Sequence, residues 1–150
     1  MKKYLLATGL ALVFITSGSI ARDLVQKEVP SVILNNFHKA FPNAYDVEWE
    51  WKGGLYKVEF ETGIPGRDVE VWYNSSGKIT RSREEIAREA LPAAILKQLD
   101  TRFAGAETDD IKKMAVDTVI TYRVDIKTPD GEEWELTWDV AGNMLSKIAD

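Results

Sequence analysis

Four glutamates, Glu48, Glu50, Glu59 and Glu70, occupy alternate positions in segments where every other residue is apolar. Alternation of this kind puts them on one face of a β-sheet. Two neighbouring carboxylates can serve as the acid and base of a glycosidase. That chemistry needs a desolvated pocket to hold one carboxyl protonated, and an open sheet face supplies none. A carboxylate-dependent hydrolase is therefore the remote reading. The same acids, with Lys57 among them, form a charged surface that suits a basic peptide or protein, or simply a solvated face. Trp72 shares their phase while Val71 and Tyr73 point the other way, and an outward indole is a natural contact anchor.

Other chemistry has little material. The 150 residues include no Cys and one His, which removes thiol catalysis and thiolate metal sites. His38 borders an apolar helical stripe, a boundary position. Neither Asp130 nor Asp109-Asp110 has the ligand spacing of an EF-hand loop. Asn74-Ser75-Ser76 matches a glycosylation pattern, but a turn explains it. No metal or cofactor is expected.

The elements that position these residues follow from periodicity. Ile33, Leu34, Phe37 and Phe41 share a helix face behind Pro30, and Ile95, Leu96, Leu99 and Phe103 do the same behind Pro92. Ser82 followed by Glu85 reads as a capping box, predicting a short helix to about Ala90 that Pro92 breaks or bends. Strands are predicted where the period falls to two. Val47, Trp49 and Trp51 form one; Tyr56, Val58 and Phe60 the next; Val69, Val71 and Tyr73 the third, with a short strand near Ile79. Tyr122, Val124 and Ile126 form another, then Trp134, Leu136, Trp138 and Val140. A less regular strand lies within Ile111 to Val116, and Met144 to Ile148 closes the chain. Gly53-Gly54, Ser75-Ser76-Gly77 and Pro129-Asp130-Gly131 supply turns. Trp49, Trp51, Trp134 and Trp138 fall in the apolar phase and are expected in the core.

The order of these patterns recurs. Leu24/Ile86, Val29/Leu91, Pro30/Pro92, Ile33/Ile95, Leu34/Leu96, Phe37/Leu99, Phe41/Phe103 and Ala44/Ala106 match at an offset of 62, and Tyr56/Tyr122 and Val58/Val124 at 66. The predicted fold is α+β, with two tandem repeats of helix(-bend-helix) packed on one face of an antiparallel sheet. Residues 1–21 read as a signal peptide, 22–81 as the first repeat and 82–150 as the second, all in one compact domain. Lys2 and Lys3 precede the apolar run Tyr4 to Ile15, and Ser19-Ile20-Ala21 suits cleavage. The run is too short to span a bilayer as a helix, so no stable membrane insertion is expected after cleavage. Cleavage removes two lysines and no acid: 19 basic residues become 17 against 24 acidic, a net charge of −7. That balance disfavours nucleic acid.

Phe41-Pro42-Asn43-Ala44, Val47-Glu48-Trp49, Tyr56-Lys57-Val58-Glu59-Phe60, Val69-Glu70-Val71 and Gly77 together resemble the pattern of the PepSY-like, beta-lactamase-inhibitor-like family of secreted bacterial proteins. The resemblance spans Leu24 to Ile148. The second copy departs from it, with Ala104-Gly105 in place of the Pro-Asn step and no Trp matching Trp49. What the resemblance implies is a periplasmic or exported α+β protein without established catalytic residues. It also implies kinship to proteins whose concave sheet grips an enzyme. The functional expectation is a secreted, non-catalytic binding module that engages or inhibits an envelope protein or peptide through its exposed sheet face. Its candidate contact residues are Trp72, Glu48, Glu50, Glu59, Glu70 and Lys57. A small-ligand-binding adaptor or sensor of the envelope is the alternative; it calls for a cleft with convergent polar groups.

Overall fold

Both apolar helical stripes form helices. In the computed structural model, which describes residues 20–150, α1 covers Ser31–Ala40 and α2 covers Ala93–Arg102. The expected leader, residues 1–21, lies almost wholly outside the described residues. Pro30 and Pro92 each sit at the N-cap, where the missing N–H costs nothing. The Pro30 carbonyl accepts from the N–H of Ile33 at 2.9 Å and of Leu34 at 3.1 Å, and Pro92 serves Ile95 and Leu96 at the same distances. Ile33, Phe37, Ile95 and Leu99 are the buried residues of the two stripes.

The nine strands are β1 (Arg22–Leu24), β2 (Tyr45–Lys52), β3 (Leu55–Thr62), β4 (Arg67–Tyr73), β5 (Ile79–Glu85), β6 (Glu107–Val116), β7 (Val119–Lys127), β8 (Glu133–Asp139) and β9 (Met144–Ala149). They lie in one sheet in sequence order, each antiparallel to the next. Gly53 and Gly54, both at positive φ, close the two-residue turn between β2 and β3, the conformation that a type I′ hairpin requires.

This architecture corrects the expected one. Over the described residues the chain is not two tandem helix-bend-helix units packed on a sheet; it is a single nine-stranded antiparallel sheet with two ten-residue helices. The error centres on Ser82 and Glu85, which cap no helix. They lie in β5, where Ser82 pairs with Val71 on one side and with Ala115 on the other. Two flanking strands override the local capping signal. Only a 3₁₀ turn over Arg88–Ala90 separates this strand from Pro92 and α2, so Pro92 starts a helix and bends none.

The Ser82 row also explains how one sheet carries two cores. Val71, Ser82, Ala115 and Ile120 stand opposite one another across β4 to β7, so the helix side is continuous. On that side α1 packs Ile33 and Phe37 with Trp49, Val58, Phe60, Val71 and Tyr73. Likewise α2 packs Ile95 and Leu99 with Ile111, Val124, Leu136 and Trp138. Between the clusters the helix-side positions are Ser82, Glu84, Lys113 and Ala115, none fully buried. Each buried Phe, Leu, Ile or Val contributes about 1.5–3 kcal/mol relative to exposure.

Smaller departures have local causes. Val47 is exposed because a bulge between Tyr45 and Glu48, with Asp46 at φ 50°, interrupts the alternation. Val140 lies exposed in the turn after β8. Trp49 and Trp138 are buried as expected, whereas Trp51 and Trp134 only border the cores. β1, which the apolar pattern does not announce, buries Leu24 against the first core.

Candidate functional site

Strand register turns the outward face into rows. One row runs Asp23, Glu50, Lys57, Trp72, Arg81, Val116 and Val119 from β1 to β7. The next runs Glu48, Glu59, Glu70, Arg83, Met114 and Thr121 from β2 to β7. The six residues singled out in the sequence thus share two adjacent rows on the face opposite the helices. His38 is exposed on α1.

Lys57 is the buried member of the group, at 6% exposure. Its ammonium donates to Glu59 and lies 3.6 Å from a Glu50 oxygen and 3.7 Å from a Glu70 oxygen. Burial works against the charge of Lys57. The hydrogen bond to Glu59 and the charges of Glu70, Glu59 and Glu50 outweigh it and hold the ammonium above the usual lysine range. Glu70 also accepts from Arg83. Three of the four expected patch acids are therefore held by cations, while Glu48 has none within 4.0 Å among the described residues.

Trp72 is half-buried and lies between two cations. The Lys57 nitrogen and the Arg81 guanidinium are each 5.6 Å from its ring centroid. Both lie within reach of the electron-rich ring face. The indole is held in place, with part of its surface open to solvent.

A second charge cluster lies on the same face. Arg123 approaches Glu135 at 3.2 Å, Asp110 at 3.6 Å and Asp125 at 3.8 Å, and Lys112 donates to Asp110. Burial pushes the Asp125 carboxyl up; Arg123 opposes this, and Asp110 and Glu135 add to it.

The sequence reading missed Arg81, Arg83, Val116 and Val119. The signal for the two arginines is the alternation of basic residues in Arg81-Ser82-Arg83, which a capping-box reading masks. Two open grooves edge the face, one lined by acids including Asp46, Glu48, Glu61 and Asp68, the other by Glu107, Asp109, Asp125, Glu133 and Asp150. Among the described residues no group of three or more His, Asp or Glu is placed to hold a metal ion, and no helix is long and apolar enough to cross a membrane.

Solved structures with a similar fold include three Bacteroides proteins. One, from Bacteroides eggerthii, is described as a putative periplasmic protein; it has a TM-score of 0.66 and 14% identity, over 81% of this chain and 88% of that one. A DUF2874 family protein from Bacteroides uniformis has a TM-score of 0.65 and 14% identity, over 80% and 88%. A BLIP-like protein from Bacteroides fragilis has a TM-score of 0.63 and 21% identity, over 80% and 85%. No curated protein matches the chain. The family model described as "Putative beta-lactamase-inhibitor-like, PepSY-like" matches residues 19–81 and 54–146, and with most of its length so matched the chain belongs to that family.

Proposed function

We propose that the protein is an exported, periplasmic, non-catalytic binding module whose outward sheet face engages an envelope protein or peptide and restrains it by contact. The observation that carries this reading is Trp72, half-buried in mid-sheet on the face opposite both helices. A partly exposed aromatic ringed by charged groups has the composition of an interface hot spot. The contact residues proposed are Trp72 and Glu48, with Lys57, Glu50, Glu59 and Glu70 as the charged bed that fixes the indole. An interface of standard size covers about 800 Å² on each partner, within the reach of a sheet of this width. Family membership and the periplasmic and BLIP-like descriptions of similar structures support the reading.

The test is affinity capture from an envelope extract with the wild type, Trp72→Ala and Glu48→Lys. Reversing Glu50 or Glu70 would strip Lys57 of its counter-charges, so those positions are left intact. A partner held by the wild type and lost by Trp72→Ala is expected. If all three proteins retain the same set, the outward face is not the binding surface. Titration against purified beta-lactamases and peptidases separately tests inhibition, and unaltered rates at saturating protein argue against it.

A further inference from the structure

Most basic residues of the outward face are already neutralised. Lys57, Arg83, Lys112, Arg123 and Lys127 are all ion-paired. Arg81, also outward and exposed, has no carboxylate within 4.0 Å among the described residues. Beside it in the same row stand Val116 and Val119, at 50% and 64% exposure, and on its other side stands Trp72. Asp117 borders this strip in the turn between the two valines. Acids such as Glu61 and Asp68 collect toward the opposite strand ends, where the β3–β4 hairpin turns.

We infer that Trp72, Arg81, Val116 and Val119 form the subsite that selects the partner, and that it takes a protein segment in which a carboxylate neighbours an aromatic or aliphatic side chain. This rests on the outward-face reading above and adds the partner's chemistry. The carboxylate pairs with the unneutralised Arg81 guanidinium, in the forked geometry that arginine favours. The apolar neighbour covers the two valines and the free part of the indole, removing apolar surface from water. A basic segment is repelled at Arg81, and an acidic one is repelled at the far end. The two ends together orient the segment on the face.

The test is selection of a random heptapeptide phage library on immobilised protein, followed by affinity measurement of the selected synthetic peptides. Enrichment of Asp or Glu beside Phe, Trp, Tyr, Leu or Ile is expected. Binding should fall about tenfold or more in Arg81→Glu, and re-selection on that variant should enrich Lys or Arg instead. Val119→Ser, on an exposed edge of the strip, should weaken the same peptides without altering the acidic preference. Peptides that depend on Trp72 but are basic, or that ignore Arg81, overturn the inference while leaving the outward-face reading intact. Peptides indifferent to both Trp72→Ala and Arg81→Glu overturn both. Failure to enrich any sequence also overturns the inference.

Discussion

Lys57 stands directly opposite Trp72 across the β3–β4 ladder, its ammonium 5.6 Å from the centre of the indole ring. Arg81 occupies the same relation from β5. A cation near a ring contributes about 0.5–1 kcal/mol where water retains access. Trp72→Ala is therefore expected to cost about 1–2 kcal/mol of stability, far short of unfolding the chain. A small shift of the urea midpoint with unchanged far-UV circular dichroism checks this. Such a result makes any loss of binding in the same variant attributable to the contact itself. Global unfolding would show that the indole is structural.

Lys57 couples the face to alkaline pH. Its folded pKa is raised, so its stabilising contribution is complete below the unfolded lysine value of about 10.5 and is lost as pH rises through the higher folded value. Lys57→Met leaves Glu50, Glu59 and Glu70 facing one another without their shared cation. It is expected to cost about 1.5–3 kcal/mol at pH 7. Chemical denaturation from pH 7 to 12 should show a smaller alkaline decline in the variant than in the wild type. Equal slopes would refute the coupling.

Tyr73 poses the opposite problem. Its side chain is buried in the first core, its hydroxyl has no hydrogen-bond partner among the described residues, and burial pushes its pKa up to about 12. For an acid with a raised pKa, stability falls as pH climbs from the unfolded value near 10 toward the folded one. Tyr73→Phe removes both the orphaned hydroxyl and this titration. The variant is expected to gain about 1 kcal/mol at pH 7 and to retain more of its stability near pH 11. A lower melting temperature at neutral pH would mean that the hydroxyl is satisfied in solution.

Legibility followed burial. Helical and two-residue periods are readable in the longer segments that pack into a core, as at Ile33 and Phe37 in α1 or Val58 and Phe60 in β3, but not in the three-residue β1, where Leu24 alone is buried. They failed between the cores. In β5 the helix-side residues are Ser82 and Glu84, flanked by Ala115 and Lys113, because neither helix presses on that part of the sheet. A central strand with no apolar alternation looks like a capped helix start. The same gap hid Arg81, since a side chain can be assigned to a face only once its strand is recognised. Alternation puts Trp72, Glu59 and Glu70 on the outward face because their inward neighbours are strongly apolar. The burial of Lys57 was not foreseeable, since it depends on three carboxylates from β2, β3 and β4.

The status of β5 has its own test. Proline lacks the N–H that a central strand needs and is confined to edges and bulges. Ser82→Pro removes pairing capacity from a strand with neighbours on both sides, so it is expected to abolish cooperative folding. At the start of a helix the same change would be tolerated. Retention of a sharp urea transition by Ser82→Pro would argue against the continuous sheet.

The helices are tied to the sheet through turns that exclude side chains. Gly142, at φ +85°, follows β8, and a Cβ there would come within 2.6 Å of the Ala94 Cβ on α2. Gln98 of the same helix donates to the Gly142 carbonyl and accepts from the Trp138 indole N–H at 3.1 Å. Gly131, at φ +89°, has open space around the same position. Both glycines are in the left-handed region, so an alanine at either costs about 1–2 kcal/mol of backbone strain. Only at Gly142 must the helix also move, and because both contacting groups belong to α2, the shift is transmitted to the buried Trp138. Gly142→Ala should therefore lower stability by at least about 1 kcal/mol more than Gly131→Ala, with altered near-UV circular dichroism in the first variant alone. Equal losses in the two would show that α2 is free to slide without disturbing the second core.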